Sequence, residues 1–247
     1  MENAPLIGLS RQIALRRQLD VVANNLANIN TFGFKAEKML FEDHVQPLAS
    51  AETFPLSDRA LHYTADWATL HDFKPGPIVQ TGGTYDMALE GPGFLTVQTA
   101  NGPAYSRNGA LHLDAGGTLV TADGDPVLGE GGPIVFAPSE TDIRFGSDGS
   151  ILSSAGSKGR LALVEFADPQ SLAHLGNSLY AASDADPGQA AVETRVHHGM
   201  LEHSNVSGVA ETAEMIRINR TYEMVAQFVQ RQDDLRRTAI RKLGELV

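Results

Sequence analysis

The chain has 247 residues, 42% of them hydrophobic, and a formal net charge of −11, enough apolar content to bury a core in one large domain or two ordinary ones. It contains no cysteine, which excludes disulfides and thiolate metal sites. Residues 1–38 and 205–247 together carry a net +3, leaving −14 on the residues between them, and an acidic body disfavours nucleic acid as a partner. Arg11, Arg16 and Arg17 interrupt the apolar residues Leu6, Ile7 and Leu9 before a signal-peptide core is complete, so no cleavable secretory signal is expected. Nor does any uninterrupted apolar run reach the length of about eighteen residues that spans a bilayer, so no direct membrane span is expected.

In chain order, the opening thirty residues predict a helix with Pro5 near its first turn. Leu15, Leu19, Val22, Leu26 and Ile29 advance by four, three, four and three residues, which lays an apolar seam along one face. The helix is expected to stop in Asn28-Ile29-Asn30-Thr31-Phe32-Gly33, where asparagine and glycine supply left-handed backbone. Asn24 and Asn28 lie one turn apart on one face. Such amides either cap and solvate a helix end or fix the register between subunits, and the local pattern leaves both readings open.

Residues 38–80 show no sustained period and read as an extended connector. Its aromatics, Phe41, Phe54, Tyr63, Trp67 and Phe73, are expected to anchor onto a neighbouring surface, since basic residues for a nucleic-acid stacking platform are almost absent around them. From Gly82 to His198 the pattern changes to short alternating segments broken by turn residues about every ten positions, an all-β signal. Leu95, Val97 and Thr99 precede the hairpin dipeptide Asn101-Gly102, with Ala104 to Arg107 as the returning strand. Leu111 and Leu113 precede Asp114-Ala115-Gly116-Gly117, Ile143 and Phe145 precede Ser147-Asp148-Gly149, and Leu161 to Phe166 is the most hydrophobic expected strand. A sandwich or partly closed barrel is the expected packing.

The last forty residues contain no proline, and after Gly208 a single glycine, Gly244. Met215, Ile218, Tyr222, Val225, Val229, Gln232, Arg236, Ala239, Leu243 and Leu246 alternate steps of three and four, the spacing of a coiled-coil seam. A helix of that length is about 60 Å long and needs a partner. The expected fold is therefore mixed α and β, with long terminal helices in a coiled-coil layer and an all-β sandwich or barrel-like domain inserted between them.

Catalytic and ligand motifs do not emerge. Neither phosphate-binding glycine pattern occurs, and the cluster from Gly129 to Gly132 runs into Pro133 rather than opening a helix. Asp123-Gly124-Asp125 begins like a calcium loop, but the twelfth position is Ile134 where a bidentate Glu is required. His197, His198 and His203 cluster without cysteine partners or an i, i+4 histidine pair, and read as solvated loop residues. Asp86 and Glu90 read as a solvated face, and Ser207 as a helix cap. The chain is expected to be no enzyme and to hold no metal or cofactor.

The segment Ala23-Asn24-Asn25-Leu26-Ala27-Asn28-Ile29-Asn30-Thr31-Phe32-Gly33-Phe34-Lys35 resembles the N-terminal signature of the bacterial flagellar rod and hook proteins. Leu201-Glu202-His203-Ser204-Asn205-Val206, followed by Met215-Ile216, Arg220 and Tyr222, is similar to the C-terminal signature of the same family. Tyr105-Ser106-Arg107-Asn108-Gly109-Ala110 and Gly117-Thr118-Leu119-Val120-Thr121 resemble its β strands, so the resemblance runs the length of the chain. The length and the opening Gly8-Leu9-Ser10-Arg11-Gln12 are most similar to the proximal members of the rod family, with distal members as close paralogues, whereas hook proteins carry larger inserted domains.

The resemblance implies a structural subunit that passes unfolded through the flagellar type III export apparatus without losing a signal peptide. It then polymerises into a hollow, periplasm-spanning shaft. Implied partners are proximal and distal rod proteins, the export apparatus, and surrounding ring or bushing proteins. The implied domains are a helical assembly domain over 1–37 and 204–247, a connector over 38–80 and an outer β domain over 81–203. The expected assembly interface comprises Leu15, Leu19, Val22, Asn24, Asn25, Leu26 and Asn28 with Met215, Ile218, Tyr222, Val225, Val229, Gln232 and Arg236. Gln232 and Arg236, the polar members of the seam, are expected to set register or face the channel. The reading of another class is a secreted β-domain binding protein or hydrolase dimerised by its terminal helices.

Overall fold

The computed structural model describes residues 3–46, 61–183 and 186–244. The architecture is mixed, with helices near both termini and a β-rich middle, and the chain divides into two compact units. One contains residues 1–27, 37–70 and 207–247, and the other residues 28–36 and 71–206.

The helical unit holds α1 (Asn3–Ala27) and α2 (Gly208–Gly244), of 25 and 37 residues. Ser207 immediately precedes α2, and its carbonyl accepts the Glu211 N–H, the first bond of the helical ladder. The two helices run antiparallel, since Gly8 meets Val229 and Gln18 Nε2 donates to Glu214 Oε1 at 3.0 Å. Glycine at position 8 permits this approach, because a Cβ there would press on the Val229 side chain. Residues Glu37–Gln46 and Leu61–His71, within and beside the expected connector, pair as a two-stranded sheet. The side chains of Phe41, Tyr63 and Trp67, and all of Phe54, lie outside the described residues.

In the β unit, the hairpin at Asn101-Gly102 forms with strands Phe94–Thr99 and Gly102–Ser106 in antiparallel register, Val97 opposite Ala104. It lies at the centre of a six-stranded sheet. Alternation along the strand sends Leu95 and Val97 into one core with Leu119, Val127, Phe136 and Ile151, while Phe94 enters a second with Tyr105, Phe166 and Tyr180. Phe73 packs edge-on against Phe94 and Tyr180 in that second core. The turns at 114–117 and 147–149 also close antiparallel pairs, and the Asp114 carboxylate accepts the Gly116 and Thr118 N–H groups at 2.8 and 2.7 Å.

Two expectations are corrected. The hydrophobic run Leu161 to Phe166 is a strand only over Leu163–Glu165, because Leu161 turns aside to bridge Gly129. His197 and His198 lie in a strand, Arg195–His198, rather than a loop, since they pair with Ala88 and Met87.

Candidate assembly site

The β unit brings the two terminal signatures together. Lys35 follows the helix stop, and Glu202 ends the strand Met200–Glu202, paired with Ile78–Gln80. The Lys35 ammonium lies 2.6 Å from Glu202 Oε1, with both residues almost wholly buried. The same oxygen accepts the Gly76 N–H at 2.8 Å, and Lys35 also donates to the Lys74 carbonyl at 3.0 Å. Arg107, likewise buried, places its NH1 3.9 Å from Glu202 Oε2, donates NH2 to the Gly91 carbonyl at 2.6 Å, and rests 4.9 Å from the centre of the Phe94 ring.

Two cations thus share one carboxylate away from water. Burial pulls both the Lys35 ammonium and the Arg107 guanidinium below their ordinary range, and Glu202 pulls each back. Buried charge survives only where the pairing is kept, so this cluster ties the chain ends to the middle.

Backbone contacts reinforce the same meeting point. The Gly33 N–H donates to the Glu202 carbonyl at 2.8 Å, and the Phe32 and His203 rings meet edge-on at 4.8 Å. Gly33 has a φ of +69°, and a Cβ there would overlap the Arg107 carbonyl carbon and the Asn108 nitrogen. Asn205 accepts the Ala36 N–H at 2.8 Å and donates to the carbonyls of Asp72 and Lys74 at 2.6 and 3.1 Å. One amide thereby joins the backbone at residue 36 to the stretch 72–74. Residues 28–36 and 71–80 consequently pack with the β unit.

In the helical unit Asn25 plays a comparable part. Its side-chain amide exchanges two hydrogen bonds with Glu37, accepting from the N–H at 2.9 Å and donating to the carbonyl at 2.8 Å. A single side chain takes the place of a β-bridge. Val22 is buried, and Leu15, Leu19, Leu26 and Asn24 are half-buried along α1. Ile218 is buried on α2, with Met215, Tyr222, Val225, Val229 and Gln232 half-buried. Asn28 lies past α1 in the β unit, where its Oδ1 accepts the Thr31 hydroxyl at 3.0 Å. The Arg236 side chain lies outside the described residues.

Sequence reasoning missed two features. Lys35 and Glu202 are each the single Lys, Arg, Asp or Glu in the runs 23–35 and 201–206, and that isolation is the signal by which the sequence could have paired them. A second apolar stripe on α2, at Ile216, Met224, Phe228 and Leu235, is exposed and lies around the helix from the seam. Beside it, Ile7, Gly8, Arg11, Thr221, Met224, Val225 and Phe228 line a groove of about 460 Å³ between the two helices.

Comparison with known proteins defines the class first. Residues 6–35 match the family model described as flagella basal body rod protein, residues 88–153 the flagellar hook protein FlgE/F/G D1 domain, and residues 197–242 the flagellar basal body rod FlgEFG protein C-terminal region. The matched segments contain most of α1, the hairpin with part of its core, and most of α2. The chain belongs to the flagellar basal-body rod protein family. It is 38% identical to the flagellar basal-body rod protein FlgF of Caulobacter vibrioides over the whole of both chains. It is 33% identical to FlgF of Escherichia coli over 95% of each chain, and 31% identical to the rod protein FlgG of Bacillus subtilis over 92% of this chain and 94% of that one.

Proposed function

We propose that this chain is a structural subunit of the flagellar basal-body rod, placed in its proximal part, which polymerises into the hollow axial shaft that transmits motor torque. The observation that carries the reading is that both terminal signatures are present and bonded to one another in one chain, through Lys35–Glu202, Gly33–Glu202 and Ala36–Asn205. Identity to proteins named FlgF, over the whole of this chain in one case and 95% of it in another, supports the proximal assignment.

In this reading the segments 1–37 and 204–247 act as a discontinuous assembly domain whose helices form a coiled-coil layer. The region 81–203 is a sandwich or barrel-like outer domain, joined to it by 38–80. Leu15, Leu19, Val22, Asn24, Asn25, Leu26 and Asn28, with Met215, Ile218, Tyr222, Val225, Val229, Gln232 and Arg236, form the assembly interface. Partners are proximal and distal rod subunits, the type III export apparatus that delivers the chain without signal-peptide cleavage, and surrounding ring proteins. The role is non-enzymatic, in the periplasm-spanning part of the basal body.

Disruption of the gene tests the proposal. Cells should lose complete flagella and swimming, and recover both with the wild-type gene. Cells that still build flagella and swim without it would refute the assignment. Electron microscopy of basal bodies carrying a labelled subunit should place the label proximally, and a distal label would reassign it within the rod.

A further inference from the structure

Asparagine followed by glycine occurs twice in the chain, at Asn101-Gly102 and Asn108-Gly109. Such a dipeptide is prone to close on itself, because glycine has no Cβ to shield its backbone nitrogen from the preceding side-chain amide. The two are alike as dipeptides, and the fold separates them. Asn101 is exposed in the turn between Phe94–Thr99 and Gly102–Ser106, and its side chain makes no hydrogen bond with a described residue. The Thr99 hydroxyl braces the turn, accepting the Asn101 N–H at 3.3 Å and donating to the Gly102 carbonyl at 2.7 Å. Neither bond restrains the Asn101 amide. Gly102 has a φ of +121°, with open space where a Cβ would stand. It pairs with Thr99 as the last step of the ladder, so fraying of one pair frees its nitrogen.

Asn108 is held instead. Its Oδ1 accepts the Ala110 N–H at 3.0 Å, and its own N–H donates to Ser106 Oγ at 3.1 Å. Gly109 is buried, its carbonyl accepts the Met87 N–H at 3.0 Å, and a Cβ there would overlap the Met87 carbonyl. An extra main-chain carbon has no room at that position.

We infer that the tip of the central hairpin is a self-modification site, at which Asn101 deamidates through a succinimide closed by Gly102 while Asn108 in the folded protein does not. The Gly102 nitrogen bonds to Asn101 Cγ, the Cγ–Nδ2 bond breaks, and the proton lost from the Gly102 nitrogen leaves with ammonia. Water then opens the ring, at the Asn101 main-chain carbonyl to give an isoaspartyl linkage or at Cγ to give aspartate. Nothing is oxidised or reduced. The product adds one negative charge to the acidic middle of the chain, and its isoaspartyl form lengthens the turn by one carbon. The site follows from the hairpin alone and is independent of the rod assignment.

Trypsin cleaves after Arg107 and so puts the two asparagines on separate peptides, 60–107 and 108–144, neither with a further asparagine. Purified full-length protein is kept at mildly alkaline pH and digested at intervals, each digest measured against one taken at time zero. In the folded protein the 60–107 peptide should gain about 1 Da and accept isoaspartyl methylation, and it should gain the mass at least about tenfold faster than the 108–144 peptide. In urea the two peptides should convert at similar rates, and Asn101→Gln should abolish the gain in 60–107. Equal rates in the folded protein overturn the inference, as does a 60–107 peptide that stays unmodified there or still gains the mass in the Asn101→Gln chain.

Discussion

The Lys35 ammonium and the Glu202 carboxylate, 167 residues apart in the chain, meet at 2.6 Å with almost no exposure to water. Replacing Glu202 with Gln leaves Lys35 and Arg107 buried without their shared counter-charge. Glu202→Gln should lower the stability of the β unit by about 3–5 kcal/mol, read from urea denaturation. Lys35→Met combined with Glu202→Leu should lose less than the sum of the two single changes, and strict additivity would show that the pair is not coupled.

Gly33 should be intolerant of a side chain. Its φ of +69° and the overlap of a Cβ with the Arg107–Asn108 backbone act together, so Gly33→Ala is expected to cost at least about 2 kcal/mol. Gly82 provides the control, since it has a φ of +71° and open space around the Cβ position. Gly82→Ala should cost only about 1 kcal/mol, and equal losses in urea midpoint would remove the packing argument.

Asn205 satisfies one N–H and two carbonyls, so Asn205→Ala should destabilise by about 2–3 kcal/mol. Asn205→Asp keeps the acceptor for Ala36 but turns an anionic oxygen toward the Asp72 and Lys74 carbonyls. It should therefore be no better tolerated than alanine at neutral pH, as judged by thermal unfolding.

Acid should weaken the β unit. Asp114 is held below its ordinary value of 3.8 chiefly by the Thr118 N–H, and Asp148 by Ser150 and then Arg160. Glu140 is held below 4.5 by Lys158. Burial alone would raise Glu165, but hydrogen bonds from Thr194 and the Glu193 amide outweigh it and lower it below 4.5. Folded values below the unfolded ones mean that these carboxylates stabilise the protein fully above the unfolded values. That stability is lost as pH falls through the folded values. Urea midpoints should drop steeply below about pH 4, and Asp114→Asn with Asp148→Asn should flatten the drop while lowering the neutral-pH midpoint.

Gln232 and Arg236 occupy polar positions in the α2 seam. Replacing both with Leu should leave helicity unchanged by circular dichroism yet disturb rod assembly, read as loss of swimming in complemented cells. Normal swimming would show that neither sets the register or faces a channel.

Local chemistry made much of the architecture legible. Helical periodicity marked α1 and α2, and the Asn101-Gly102 dipeptide marked the central hairpin, since both signals are confined to neighbouring residues. The motif Asn24-Asn25-Leu26-Ala27-Asn28 was visible too, but the partnership of Asn25 with Glu37 was not. Nothing local distinguished Asn25, which replaces a β-bridge, from Asn24 beside it.

The amino-acid sequence by itself determined that this protein has helical ends around a β-rich middle and belongs among the flagellar rod proteins, because turns, seams and signatures are written in adjacent residues. Only the tertiary structure decided that Lys35, Arg107 and Glu202 share one buried cluster and that Asn25 exchanges two hydrogen bonds with Glu37. The value of a charge or an apolar face depends on what desolvates it and what lies opposite, and that is a property of distance in space, not along the chain.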